Sequence, residues 1–351
     1  MYITGLGTAV PARSFTQREC WEALQRADRP ELTARTRAIL EGILNHDNGI
    51  ERRSLALDTL DDGFVIDPDT LYARFVKHAP VLASQAAARA LADAGIAPGE
   101  VDAVVISTCT GYLCPGLTSY VAQSLALRPD ALCLDLVGQG CGAALPNLRT
   151  ADALIASNRC ANVLSVCVEV CSAAFYLDND LGVLVSACLF GDGAGAAVVT
   201  AAPREGRRRV AWKAATSLTN PAQRDLLRFE QVGGMLRNIL TLPVPKLAAG
   251  HADKILGETL LREGIERAAI GTWVLHAGGR KVLDELRSGI GLTEKDVRWS
   301  SAILREFGNL SSPFVLFVLD AALRGGAPGG FWWMSSFGAG FSCHGALLEV
   351  A

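Results

Sequence analysis

Short apolar runs alternate with helix-like stretches through the first half of the chain. Thr16-Gln17-Arg18-Glu19 has the spacing of a capping box, in which a hydroxyl and a carboxylate satisfy free backbone N–H groups, so a helix is predicted to start there. Ala83 to Ala94 is alanine-rich, a composition of high helix propensity, and Gly95 is placed to end that helix. Val101 to Ser107 then supplies a short β-branched run that reads as a buried strand. Further apolar runs at Ala131 to Val137, Asn162 to Val170 and Ala194 to Thr200, with a helical stretch from Ala144 to Ala156, continue the pattern. Strands alternating with helices predict an α/β protein.

The second half repeats part of this plan. From Leu286 to Val297 the chain reads as a helix end, Gly291, apolar Leu292, four polar residues and then Val297, the spacing of Gly95, Ile96 and Val101. Such self-similarity points to an internal duplication. The junction is expected at Ala201 to Arg209, where Pro203, Gly206 and three arginines separate two strands, the second opening near Val210. This gives two units, residues 1–205 and 206–351. The arginines read as a solvated turn, with an anion-holding role as the alternative.

Composition narrows the function classes. Half of the 351 residues are apolar and a fifth are charged, as in a folded globule, and the net charge of -3 leaves no basic excess for nucleic acid. Met1 to Val10 lacks the pattern of a secretory signal. Phe314 to Leu323, with Asp320 inside it, falls short of the roughly 20 apolar residues of a membrane span, so no membrane partner is expected. Ten cysteines without a small-scaffold framework suit a reducing cytoplasm.

Three residues at element boundaries carry candidate chemistry. Cys141 follows a strand and opens a helix among small neighbours, a place where the helix dipole favours thiolate and lowers the thiol pKa. A buried structural cysteine beside a tight turn is the competing reading. His276 ends Gly271-Thr272-Trp273-Val274-Leu275-His276, a short strand emptying into a glycine loop, and strand ends are where open α/β proteins place their chemistry. Asn309 lies between two helices and reads equally as a helix cap. Together the three suit acyl transfer. A thiolate accepts an acyl group from a thioester, and His276 and Asn309 donate to a second thioester carbonyl as malonate loses carbon dioxide.

Other clusters point to no metal or phosphate site. Cys167 with Cys171, and Cys343 with His344, lack the doubled pattern of structural zinc, and alternation through Val166 to Val170 places Cys167 and Cys171 on one strand face as packing residues. Gly191-Asp192-Gly193-Ala194-Gly195 runs into a strand rather than a helix and reads as a tight turn.

Four motifs together resemble the type III polyketide synthases of the chalcone synthase superfamily. Gly138-Gln139-Gly140-Cys141-Gly142 resembles the nucleophile motif, Leu189-Phe190-Gly191-Asp192-Gly193-Ala194 the gatekeeper motif, His276-Ala277-Gly278-Gly279 the histidine loop and Gly308-Asn309-Leu310-Ser311-Ser312 the asparagine motif. The order and approximate spacing also match, over nearly the whole chain. The resemblance implies a five-layered αβαβα thiolase fold built from two similar halves, a homodimer, acyl-CoA starter and malonyl-CoA as substrates, and no metal or redox cofactor. It makes Cys141 the acyl-accepting nucleophile, His276 and Asn309 the decarboxylation pair, and Phe190 the gatekeeper. Gly191, Thr110 and Ser311 fall with the substrate-binding positions. The loop Cys109 to Pro115 resembles the segment that lines the cavity and reaches into the partner subunit, which adds Cys109 and Cys114 to the substrate-binding candidates.

Ala174 stands at a cavity position that is often threonine in plant members. The small Cys109, Cys114 and Ala174 predict room for an extended or bulky acyl group. The second gatekeeper phenylalanine falls near Arg237, and the C-terminal glycine loop reads Ser336-Phe337-Gly338-Ala339-Gly340. The basic residues that hold coenzyme A in plant members have no clear match between Asn45 and Arg53, which leaves Arg280 and Lys281 as candidates. A ketoacyl carrier-protein synthase III, performing one condensation, and an inactive dimeric scaffold are the rival readings.

Overall fold

The computed structural model describes residues 1–351. The first half runs β1 (Tyr2–Ala9), β2 (Ser14–Thr16), α1 (Gln17–Arg26), α2 (Ala34–Asn45), β3 (Arg52–Ser54), α3 (Pro68–Ala94), β4 (Ala103–Ser107), α4 (Leu117–Leu125), β5 (Leu132–Leu136), α5 (Ala144–Ala156), β6 (Asn162–Glu169), α6 (Leu181–Leu189) and β7 (Gly193–Thr200). The second runs β8 (Val210–Thr219), β9 (Leu227–Val232), β10 (Met235–Leu240), α7 (Val244–Glu263), β11 (Ile270–Leu275), α8 (Arg280–Ile290), α9 (Arg298–Phe307), α10 (Phe314–Arg324), β12 (Gly330–Gly338) and β13 (Ser342–Val350). The capping box at Thr16 forms as the sequence predicts, and α5 spans the expected residues.

Nine strands make one mixed sheet in the order β11-β12-β13-β8-β1-β7-β6-β4-β5. Reading outward from its middle, β1-β7-β6-β4 and β8-β13-β12-β11 follow one plan. In each half an antiparallel pair is followed by another antiparallel pair and then a parallel one. The halves join where β1 meets β8 through Tyr2↔Ala211 and Ile3↔Val210. Helices α5 and α10 touch strands of both halves and form the inner layer. Phe314 to Leu319 are all buried, as a helix without a solvent face requires.

The duplication is present, but its matching segments differ from those the spacing predicts. Gly95 and Gly264 both end a helix in the left-handed conformation, at φ 64° and φ 67°. In each case the next residue's N–H returns to a carbonyl five residues back, Ile96 to Leu91 and Ile265 to Leu260, both at 3.0 Å. A short 3₁₀ turn then leads into β4 or β11. Val297, expected to correspond to the opening of a strand, instead precedes helix α9, and β5 has no counterpart in the second half. Gly291 is also a left-handed helix end, so this common stop signal mimicked the repeat. A second expectation also fails. Cys171 lies beyond β6 in a 3₁₀ turn, because the chain leaves the sheet at Val170, so it shares no strand face with Cys167.

Two glycines of β1 set how closely α3 approaches the sheet. A Cβ at Gly5 would lie 2.4 Å from the Ala90 carbonyl oxygen, and one at Gly7 2.2 Å from that of Ala86. The facing alanines, Ala83, Ala86, Ala87, Ala90 and Ala94, are buried to within 1%. Backbone cannot yield as a flexible side chain does. Gly7→Val is therefore expected to destabilise the protein by about 1–3 kcal/mol or more through overpacking. Chemical denaturation would show the loss, and an unchanged midpoint would mean that α3 can move away freely.

Candidate active site

Cys141 occupies a single 3₁₀ turn, Gly140–Gly142, between β5 and α5. The end of β12 clasps this turn. Ser336 donates from Oγ to the Gly142 carbonyl at 3.0 Å, and a Cβ at Gly338 would lie 2.5 Å from the Gly142 nitrogen. The thiol is partly accessible yet densely surrounded by protein. Burial pushes it up to about 12, with the Ser311 hydroxyl at 3.2 Å opposing the shift. The lowered pKa expected from the helix start is thus reversed in the resting enzyme, because removing a thiolate from water costs more than these donors return.

Ser311 links the nucleophile to Asn309. Its N–H donates to Asn309 Oδ1 at 2.8 Å, while Asn309 Nδ2 donates to the Gly278 carbonyl at 3.0 Å. These two bonds fix the amide's orientation and leave one Nδ2 hydrogen for a ligand. The backbone of Asn309 is tied in turn to the gatekeeper motif. Its N–H donates to Leu189 O at 2.8 Å, and the Gly191 N–H donates to its carbonyl at 3.0 Å. Gly191 therefore acts through its backbone, holding Asn309 beside Phe190.

His276 follows directly on β11 and is 1% exposed. Phe314 and Phe337 pack edge-on against its ring, with centroids at 5.3 Å and 5.0 Å. Neither ring nitrogen has a protein partner. Burial in this apolar clamp lowers the imidazole to about 3, so the ring is neutral at pH 7 and one nitrogen carries a proton to donate. His344, also buried, is lowered to about 4. Both depressed values mean that the unfolded chain binds protons more tightly below its own pKa of about 6.5. Each histidine's contribution to stability is then present above pH 6.5 and lost as pH falls toward its folded value, at up to about 1.4 kcal/mol per pH unit. Denaturation midpoints measured from pH 7 to pH 4.5 should fall, and His276→Gln should flatten the slope. An equal slope in that variant would contradict the buried neutral ring.

A carboxylate that sequence reasoning did not single out underlies the site. Glu169 is fully buried at the end of β6 and accepts from the Ser312 hydroxyl at 2.6 Å, the Thr110 hydroxyl at 2.9 Å and the Cys109 N–H at 3.0 Å. The Cys109 thiol and the Ser311 hydroxyl also reach it, at 3.3 Å and 3.4 Å. Burial raises the Glu169 pKa against these donors. Its signal was available, since an acidic residue closing the apolar run Asn162 to Val170 needs buried partners.

A narrow cavity opens beside Ser311, lined by Thr110, Cys171, Ala174, Phe190, Phe229 and Asn238, among others. A larger outer cleft shares Thr110 and Phe229 with it and reaches Cys109 and Gly140. Arg237 turns its guanidinium onto Glu230 at 2.6 Å and Asp178 at 3.0 Å, bracing the β9–β10 hairpin, while its neighbour Asn238 lines the cavity. Arg280 is exposed at the start of α8 and paired with Asp47, and Lys281 beside it is exposed. Cys114 is exposed.

Residues 1–203 match the N-terminal domain of the chalcone and stilbene synthases, and residues 227–348 match the C-terminal domain. The chain is 30% identical to a 3,5-dihydroxyphenylacetyl-CoA synthase of Streptomyces toyocaensis, over 99% of this chain and 89% of that protein. It is equally 30% identical to the enzyme of that name from Amycolatopsis balhimycina, over 98% of this chain and 92% of that one. The 1,3,6,8-tetrahydroxynaphthalene synthase of Streptomyces coelicolor A3(2), a bacterial type III polyketide synthase, superposes with a TM-score of 0.88 at 25% identity, covering 99% of both chains. PKS-I from the brown alga Ectocarpus siliculosus superposes at 0.90 and 25% identity, over 99% of this chain and 98% of its own. Enzymes of this kind work on coenzyme A thioesters without a further cofactor. With the thiolase fold and matches spanning both halves, the chain belongs to the chalcone and stilbene synthase family and is a type III polyketide synthase, a malonyl-CoA-dependent acyltransferase.

Proposed function

We propose that Cys141 carries the growing chain and that His276 and Asn309 generate the nucleophile that extends it. The Cys141 sulfur attacks the thioester carbonyl of an acyl-CoA starter, forming a new thioester and expelling the coenzyme A thiolate, which takes up the thiol proton. Malonyl-CoA then loses carbon dioxide, and the electron pair of the broken C–C bond becomes an enolate. The His276 N–H and the free Asn309 N–H donate to the enolate oxygen. The enolate carbon attacks the acyl-cysteine, and the released chain, two carbons longer, returns to Cys141 for another round.

The observation that carries this reading is donor capacity left open on both residues, the whole His276 ring and one Asn309 Nδ2 hydrogen. His276 is buried without a partner, and Asn309 is oriented by Ser311, the residue that touches the Cys141 sulfur. A buried donor without a partner is costly unless a ligand completes it. Phe190, Thr110, Ala174 and Ser311 shape the space that the chain enters. The two 30% identical relatives are named for an aromatic product with hydroxyls at positions 3 and 5, which favours resorcinol-type closure over a pyrone. Incubation with labelled malonyl-CoA and a panel of acyl-CoA starters tests the reading. Several extensions followed by an aromatic product are expected, and a single extension or none would overturn it.

The working unit is proposed to be a cytoplasmic homodimer. Strand β5 lies at the sheet edge with Leu132 43% exposed, and Val137 and Tyr112 nearby are 59% and 70% exposed. An unpaired edge with an apolar flank suits pairing with a second copy, which would also cover the Cys114 loop. Light scattering should return twice 37.1 kDa. The monomer mass would rule the dimer out.

A further inference from the structure

One polar side chain in the wall of the reaction cavity has no structural task. Asn238 is 8% exposed and lines the cavity that reaches Ser311. It stands in β10 directly across from Phe229 of β9, which lines the same cavity. Successive side chains of a strand point to opposite faces, so Asn238 faces away from Arg237. Arg237 anchors the hairpin through Glu230 and Asp178, whereas the Asn238 carboxamide bonds to no other group of the protein. Asparagine is also a poor strand former, so neither propensity nor bonding accounts for it at this place.

The other polar groups of the wall are committed. The Thr110 hydroxyl donates to Glu169 and accepts from the Val170 N–H, both at 2.9 Å. Ser186 donates to the Gly182 carbonyl at 2.9 Å, and Ser311 to the Cys141 sulfur at 3.2 Å. Tyr176 lines the cavity too but is only half-buried. Eight of the twelve lining residues are hydrophobic, so a ligand here has few polar partners to choose from. A carboxamide offers two N–H donors and a carbonyl acceptor.

We infer that Asn238 recognises the keto groups of the growing chain, its N–H donating to a β-keto oxygen of an acyl group carried on Cys141. The inference rests on the condensing role proposed for Cys141 and adds a specificity determinant that acts once the first extension has been made. A simple alkyl chain has no oxygen to offer Asn238. It would displace water from the carboxamide without replacing the lost hydrogen bonds, which costs affinity. A site built this way prefers a keto-bearing chain over an alkyl chain of equal length.

The test uses the full chain with acetoacetyl-CoA and butyryl-CoA, which have the same length and differ by one keto group. The two compete at equal concentration for extension with malonyl-CoA, and mass spectrometry of the products gives the ratio of their kcat/KM values. In the native protein the ratio of acetoacetyl to butyryl should exceed one. Asn238→Leu, close in size but without a donor, should cut it by about tenfold. Asn238→Ser, which keeps a hydroxyl, should retain more of it than Asn238→Leu. A merely structural role would slow both starters alike and leave the ratio where it was. A native ratio of one or less would overturn the inference, as would the native ratio in an Asn238→Leu protein whose circular dichroism matches the native spectrum. Loss of the ratio in Tyr176→Phe but not in Asn238→Leu would also overturn it. Failure to extend either starter would instead overturn the condensing role, and the ratio of the two acyl adducts on Cys141, read by intact mass, would then decide Asn238 by the same criteria.

Discussion

Cys141→Ala should abolish both acyl loading and chain extension while leaving the fold intact. The substitution removes the sulfur proposed to hold the growing chain as a thioester, and covalent catalysis stops once its nucleophile is gone. The structural cost should be small. Cys141 sits in a turn held by backbone and by Ser336, none of which needs the sulfur, and Ser311 loses one weak acceptor while keeping Glu169 within 3.4 Å. Some malonyl-CoA decarboxylation should persist, since the His276 ring and the Asn309 amide keep their supports. Intact-mass measurement after incubation with starter would show no adduct, and product formation at the normal rate would refute Cys141 as the carrier.

His276→Ala and Asn309→Ala should each depress malonyl-CoA decarboxylation by about 10²- to 10³-fold while sparing acyl loading far more. The argument is geometric. The enolate oxygen carries charge that the ground-state carbonyl does not, so donors aimed at it lower the barrier more than they strengthen substrate binding. For Asn309 the orientation comes from Ser311 N–H and the Gly278 carbonyl, so Asn309→Asp should also fail. A carboxylate there would face Gly278 with no hydrogen to give. For His276 the apolar clamp of Phe314 and Phe337 keeps the ring uncharged, so its contribution should stay flat from pH 8 down to pH 5. Carbon dioxide release measured apart from loading checks both. Normal decarboxylation in either alanine variant would remove that residue from enolate stabilisation.

Much of the fold was legible along the chain because its signals are local. The capping box at Thr16, the glycine stop at Gly95 and the apolar runs that became β4, β6 and β7 each depend on a few consecutive residues. The error at Val297 has the same origin. A left-handed glycine followed by an apolar residue marks any helix end, and whether a strand or another helix follows is settled by what packs beyond it. Arg237 shows the limit for single positions. Matching placed it at a gatekeeper, yet the side chain goes where Glu230, Asp178 and Asp180 offer ion pairs.

By itself the sequence determined the α/β class and singled out Cys141, His276 and Asn309 as candidates, since motifs at strand ends and helix starts are written in short stretches. Only the tertiary structure decided what those residues are chemically. Burial raises the Cys141 thiol and keeps the His276 ring neutral, with one N–H left to donate, and Ser311, brought from 170 positions away in the chain, orients Asn309 and touches the sulfur. It alone revealed Glu169 beneath the site. Desolvation, hydrogen-bond partners and cavities arise from contacts between segments distant in sequence, and no local pattern encodes the distance between them.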